Sequence, residues 1–135
     1  MPQSEVDQKK DSAPARILLV EDEPLIRFTM AEALRDCGVC VVEAATGDEA
    51  WQYLTSGGSV DLVFTDHRMP GVLTGAELAT RIRRHFPRLA VVVASAYLED
   101  RLWPGPFISK PYNLLKTAAE LAGRAAGRGQ IEGDP

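Results

Sequence analysis

Cysteine, histidine and basic charge are all scarce in this 135-residue sequence. Its two cysteines cannot build the disulfide framework that holds small secreted domains together. They are Cys37 and Cys40, spaced C-x-x-C. A thioredoxin-type redox motif follows a strand and opens a helix. Here the order is reversed: the pair closes a helical pattern, turns at Gly38 and enters a strand. The two thiols are therefore expected in the core, where free cysteine is commonly found. There are 15 Lys+Arg against 19 Asp+Glu, for a net charge of −4. That balance lacks the basic footprint of non-specific nucleic-acid binding. Apolar runs such as Leu89–Ala94 are far too short to span a bilayer. The segment Met1–Ala15 is polar and has no apolar h-region, so it does not read as a secretory signal. A cytoplasmic protein is expected, with neither nucleic acid nor membrane as its partner.

What remains is the mix of a globular chain: 45% apolar and 25% charged residues. The length suits one hydrophobic core. Residues 1–15 read as a disordered lead, 16–126 as a single domain and 127–135 as a flexible tail. Within the domain, short apolar runs alternate with stretches of helical period. Arg16–Val20 is a strand. Leu25 to Cys37 is a helix, with Ile26, Met30, Ala33, Leu34 and Cys37 on its inner face. Pro24 suits its first turn and Gly38 its C-terminal cap. Val39–Ala45 and Val60–Thr65 are the next strands, with a helix between them packed through Ala50, Trp51 and Leu54. A third helix, Ala76–Phe86, turns Leu78, Ala79, Ile82 and Phe86 inward. Leu89–Ala94 and Pro106–Ser109 are the last two strands. Asn113 to Ala126 is the last helix, apolar at Leu114, Ala118, Leu121 and Ala125.

This alternation implies βαβ units and a parallel sheet. Near-continuous apolar strands imply burial on both faces. Open sheets of this kind bind ligands outside the carboxyl ends of their strands. Glu21, Asp22 and Glu23 follow the first strand, and Asp66 follows the third. Ser95 follows the fourth, and Lys110 the fifth. Each alone reads as part of a solvated rim; the four loops together read as a site. Carboxylates roughly 5 Å apart repel by about 3 kcal/mol per pair at an effective dielectric of 20. Such a cluster calls for neutralisation, and hard oxygen ligands suit Mg²⁺. A metal and a lysine around an aspartate make a receptacle for a phosphoryl group, with Asp66 placed to attack.

These motifs resemble those of the response-regulator receiver domains of two-component signalling. The matching segments are Ile17-Leu-Leu-Val-Glu-Asp-Glu-Pro24, Leu62-Val-Phe-Thr-Asp-His-Arg-Met-Pro70, Val91-Val-Val-Ala-Ser-Ala96 and Phe107-Ile-Ser-Lys-Pro111. The resemblance covers about Arg16 to Ala126. It implies a doubly wound, flavodoxin-like α/β fold with a five-stranded parallel sheet in the order 2-1-3-4-5. It also implies a phosphoacceptor switch rather than an enzyme acting on other molecules. Asp66 matches the phosphoacceptor. Glu21 and Asp22 match the acidic pair that binds Mg²⁺, and Arg68 the position whose backbone carbonyl ligates the metal. Ser95 and Lys110 match the residues that hold the phosphoryl group, and the bond to Pro111 is typically cis. Phe107 matches the aromatic switch residue. The implied partner is a sensor histidine kinase or a phosphotransfer protein. With no output domain read after Ala126, signalling through protein–protein contacts is expected.

Two departures from the family stand out. Pro70–Gly75 has one residue more than the commonest loop, which predicts a bulged turn into the third helix. The Ser95–Lys110 span is short, and Tyr97–Gly105 carries Pro104 near its end. This predicts a loop or a very short fourth helix. The gap resembles a stand-alone subclass with a Phe-Ala-Thr-Gly-aromatic motif, of which Val93-Ala-Ser-Ala-Tyr97 is a degenerate version. Tyr97 would then join Ser95 and Phe107 in switching. His67 and His85 read as surface residues, and Trp103 as a loop residue open to solvent. Two rivals fare poorly. A flavodoxin-like cofactor binder needs a Gly/Ser/Thr-rich loop after the first strand, and an aspartate-nucleophile phosphatase needs a second aspartate where Pro24 stands. A receiver-like interaction module that takes no phosphate is the remaining alternative.

Overall fold

A computed structural model of the chain describes residues 13–97 and 103–127. Five strands form one parallel sheet: β1 (Arg16–Val20), β2 (Cys40–Ala44), β3 (Leu62–Asp66), β4 (Ala90–Ser95) and β5 (Phe107–Ser109). Their order is β2-β1-β3-β4-β5, as the resemblance implies. Among the described residues four helices connect or follow them: α1 (Pro24–Asp36), α2 (Gly47–Thr55), α3 (Gly75–His85) and α4 (Leu114–Ala125).

Side-chain alternation in β1 divides the interior. Ile17 and Leu19 join Met30 and Leu34 of α1 and Ala118 and Leu121 of α4 on one face. Leu18 and Val20 join Leu54 of α2 and Leu78, Ala79 and Ile82 of α3 on the other. Period two in a strand sends neighbours to opposite faces. A strand covered on both sides must therefore be apolar throughout, and Ile17–Val20 are at most 2% exposed. Each helix start has a local cause. Glu23, Thr46, Thr74 and Asn113 all accept a backbone N–H as N-caps. At α3 the arrangement is reciprocal. Thr74 Oγ1 accepts from Glu77 N, and Glu77 Oε1 accepts from Thr74 N, closing a capping box.

Several sequence expectations need correction. Cys37 and Cys40 are exposed, free thiols, not core residues. Cys37 is the C-cap of α1. Cys40 opens the edge strand β2 opposite the exposed Arg16, at the rim that α1 leaves uncovered. Ile26 is 45% exposed, because the first turn of α1 rises beyond the carboxyl edge of β1. Trp103 is not open to solvent: it is 2% exposed, and its indole Nε1 donates to Pro106 O at 3.0 Å. Trp51 does pack against the α2/α3 core as expected, though half-buried, and it meets the edges of His85 and Phe86 on the neighbouring helix end.

Between β4 and β5, residues 96–97 and 103–106 are not helical. The middle of the shortened span, 98–102, lies outside the described residues. So do residues 1–12 and 128–135, where most of the lead and tail were read.

Candidate functional site

The carboxyl ends of the two central strands bring three carboxylates together. Oxygens of Glu21, Asp22 and Asp66 lie within 4.8 Å of one another. The backbone fixes Glu21, whose N–H donates to Ala44 O at 3.0 Å and whose carbonyl accepts from Arg27 Nη1 at 2.8 Å. Its side chain folds back, and Oε2 accepts from Glu23 N at 3.1 Å. Glu21 is only 6% exposed. Burial, with Asp66 and Asp22 adding repulsion, holds its carboxyl above the ordinary value against the pull of Glu23 N–H and Lys110.

Lys110 answers the cluster from just beyond β5, with Nζ 2.6 Å from Asp66 Oδ1. Two backbone bonds carry it there. Lys110 N donates to Ser95 O at 2.9 Å, and His67 N donates to Ala94 O at 3.0 Å. The ends of β3, β4 and β5 are thus tied into one rim. The peptide bond between Lys110 and Pro111 is cis. Ser95 is 4% exposed, and its Oγ accepts from Tyr97 N at 3.2 Å. Tyr97 itself is 48% exposed, with the Arg68 guanidinium 4.1 Å from its ring centre. Phe107 is 4% exposed and packs into the α2/α3 face. So Glu21, Asp22, Asp66 and Lys110 form one cluster, and Ser95 is bonded to its rim. Arg68 and Tyr97 pair outside it, and Phe107 lies in the core.

His67 was read as a rim residue, yet it is 7% exposed. Its Nδ1 accepts from Ala76 N at 3.1 Å, and its carbonyl accepts from Gly75 N at 2.9 Å. It therefore takes up two of the N–H groups that a helix start leaves without intrahelical partners. The close approach depends on Gly75, since a Cβ there would collide with Asp66 O and the His67 Cα. Small residues at the first two positions of α3 were the available sign that the loop after Asp66 is pressed onto this helix. At the other end of the same loop, Val72 N donates to Asp48 Oδ2 at 2.9 Å, and Gly71 has φ +106°.

Tyr112 forms a half-buried wall, edge-on to Phe64 with ring centres 6.1 Å apart. Burial, then Glu21 and Asp66, push its phenol up to about 12 from 10.0. The unfolded chain therefore loses this proton first as pH rises. The stability contribution of the neutral phenol is complete below pH 10 and is lost as pH rises through about 12. Tyr112→Phe is expected to remove this part of the alkaline loss while changing stability little at pH 7. Urea midpoints from pH 8 to 11 check it; equal slopes for both proteins would contradict the assignment.

The donor set fits a hard divalent cation: three carboxylates, one of them desolvated and repelled by its neighbours. The doubly wound sheet thus gathers an acidic cluster and a lysine at its carboxyl edge, where open α/β sheets bind their ligands. The family follows from comparison. Residues 17–103 match the response regulator receiver domain, and the chain belongs to that family, which serves two-component signalling. It is 36% identical over 118 residues to the sensor kinase CckA of Brucella abortus, covering 82% of this chain and 12% of that one. It is 33% identical to the response regulator GtcR of Aneurinibacillus migulanus, over 78% of this chain and 45% of that one. The chain thus spans less than half the length of these relatives. The response regulator TrrA of Thermotoga maritima, crystallised in complex with Mg²⁺-BeF, superposes with TM-score 0.71 at 32% identity. That match covers 79% of this chain and 96% of TrrA. Among the described residues no helix is long and apolar enough to cross a membrane.

Proposed function

We propose that this receiver accepts a phosphoryl group on Asp66 from a sensor histidine kinase or phosphotransfer protein in a Mg²⁺-dependent reaction, and signals through protein–protein contacts. The observation that carries the reading is the contact of Lys110 Nζ with Asp66 Oδ1 at 2.6 Å, beside two further carboxylates. A carboxylate oxygen of Asp66 attacks phosphorus. The bond from phosphorus to the donor imidazole nitrogen breaks, and its electron pair leaves with the imidazole. Asp66 becomes an acyl phosphate. Lys110 shifts its N–H donors from the carboxylate to the phosphoryl oxygens, and the Ser95 hydroxyl supplies a further donor. Glu21, Asp22, Asp66 and the Arg68 carbonyl would hold Mg²⁺, which would supply positive charge against the phosphoryl oxygens. Ser95 moving toward the phosphoryl group would release Tyr97 N and draw on Phe107 packing, the kind of local change that biases a two-state loop.

Intact mass after incubation with acetyl phosphate tests the reading. A gain of one phosphoryl group is expected with Mg²⁺ and none with EDTA. Labelling that is indifferent to metal, or absent in both, would refute it.

A further inference from the structure

His67 stands between two residues on which the acceptor site depends, and three bonds converge on it. Its N–H donates to Ala94 O at 3.0 Å, and its carbonyl accepts from Gly75 N at 2.9 Å. Its imidazole Nδ1 accepts from Ala76 N at 3.1 Å. One residue thus joins the end of β3 to β4 on one side and to the first turn of α3 on the other. Asp66 precedes it with the acceptor carboxylate. Arg68 follows it with the carbonyl that would hold Mg²⁺.

Capping alone does not account for the imidazole. Thr74 and Glu77 already form a capping box at the start of α3. The other N–H groups of a first turn can be left to water where the helix start is exposed. Here the start is pressed onto the strand end. Gly75 and Ala76 are buried, and a Cβ on Gly75 would collide with Asp66 O and the His67 Cα. A buried N–H needs an acceptor, and His67 Nδ1 supplies it for Ala76. The bond closes the base of the loop 68–74. The far part of that loop is fastened separately, by Val72 N to Asp48 Oδ2 and by Leu73 against Gly47. The base is the part that bears on Asp66 and Arg68.

We infer that His67 is a positioning residue for the acceptor site: its bond from Ala76 N–H fixes the peptides on either side of it, and with them the directions of the Asp66 carboxylate and the Arg68 carbonyl. The inference rests on the reading of Asp66 as phosphoacceptor and of Arg68 as a metal ligand. Groups that orient the ligands of a metal without touching it change affinity or rate by about tenfold or more when they are removed. Misplaced reacting groups lose rate even in an intact fold.

Three substitutions in the whole chain separate the two ring nitrogens. Asparagine sets its amide near the place of Nδ1, glutamine near that of Nε2, and leucine offers neither. His67→Asn should therefore keep the bond to Ala76, while His67→Gln and His67→Leu lose it. Any further role of Nε2 would give the reverse order for Asn and Gln. Hydrogen exchange at the Ala76 amide, in EDTA, reads the clamp with neither metal nor phosphoryl donor present. An N–H in the first turn has no intrahelical partner, so protection there reports the imidazole. Slow exchange is expected in the unsubstituted protein and in His67→Asn, and fast exchange in the other two. Mg²⁺ affinity, read from the Asp22 amide shift in a MgCl₂ titration, should fall about tenfold in His67→Gln and His67→Leu and stay within about twofold in His67→Asn. Acetyl phosphate labelling at saturating Mg²⁺ should follow the same order. Thermal melts supply the structural control. Fast exchange at Ala76 in the unsubstituted protein would overturn the inference. So would Mg²⁺ affinity that is unchanged in His67→Gln and His67→Leu, or that follows melting temperature instead of Ala76 protection. Mg²⁺ affinities in the expected order without any labelling of the unsubstituted protein would refute phosphoryl acceptance and leave the positioning role standing. No Mg²⁺ binding to the unsubstituted protein would overturn both.

Discussion

Asp66→Asn is expected to abolish phosphoryl labelling by acetyl phosphate, with no mass gain where the unsubstituted protein gains one phosphoryl group. The substitution keeps the shape of the side chain but removes the anionic oxygen. An amide is a poor nucleophile, so no rate remains to be measured at this position. The buried Glu21 is no substitute. Glu21 is folded back onto Glu23 N and is only 6% exposed, while Lys110 Nζ is directed to Asp66. Folding should survive. The variant loses one pair with Lys110 and is relieved of repulsion from Glu21 and Asp22, so the net change should be about 1 kcal/mol in either direction. Circular dichroism and a thermal melt verify the fold, and intact mass reads the chemistry. Labelling at the rate of the unsubstituted protein would mean that phosphate goes elsewhere.

The placement of the site residues was legible in the sequence because they stand at fixed places in a simple pattern. Once the apolar runs are read as parallel strands, Glu21, Asp22, Asp66, Ser95 and Lys110 must follow their carboxyl ends. The sheet then gathers them, whatever the helices do. The burial of single residues was less legible, since it depends on which surface the chain lays against which. His67 looks like a solvated neighbour of Asp66 until α3 offers it the Ala76 N–H. Trp103 looks like an exposed loop residue until Pro106 O takes its indole proton and Arg83 covers its ring. Cys37 and Cys40 fit helical and strand patterns, but one caps the end of α1, the other opens the edge strand β2, and both are exposed. Periodicity identifies a face; it does not say where the face ends. The exposed Ile26 marks the same limit at the start of α1.

Ser95, Tyr97 and Arg68 extend the argument to conformational change. The Ser95 oxygen holds the backbone of Tyr97, and Arg68 holds its ring from the loop after Asp66. Both contacts connect the rim of the acidic cluster to the segment before β5. A phosphoryl group that draws the Ser95 hydroxyl toward itself would therefore act on Tyr97 directly, by shifting the oxygen that Tyr97 N donates to.

Mg²⁺ is expected to stabilise the domain, and Asp22→Ala to remove that response without unfolding it. Three carboxylates whose oxygens lie within 4.8 Å answer to one nearby lysine, so the metal-free state keeps uncompensated repulsion. A cation that binds only the folded state adds RT ln(1 + [L]/Kd), about 1.4 kcal/mol at ten times Kd. For a domain of this size that is a rise of about 5 °C in Tm. Asp22→Ala deletes one ligand and one source of repulsion together. The variant should therefore melt no lower than the unsubstituted protein in EDTA, and no higher in Mg²⁺ than in EDTA. The pH dependence has a definite sign. Glu21 holds its proton above the ordinary carboxylate value, so protons compete with metal there. The stabilisation should shrink as pH falls through that raised value and be full above it. Melting curves in MgCl₂ and in NaCl of equal ionic strength, at pH 5 and pH 8, measure both effects. Equal melting temperatures in the two salts at pH 8 would remove Mg²⁺ from the site. A response retained by Asp22→Ala would move the metal to other ligands.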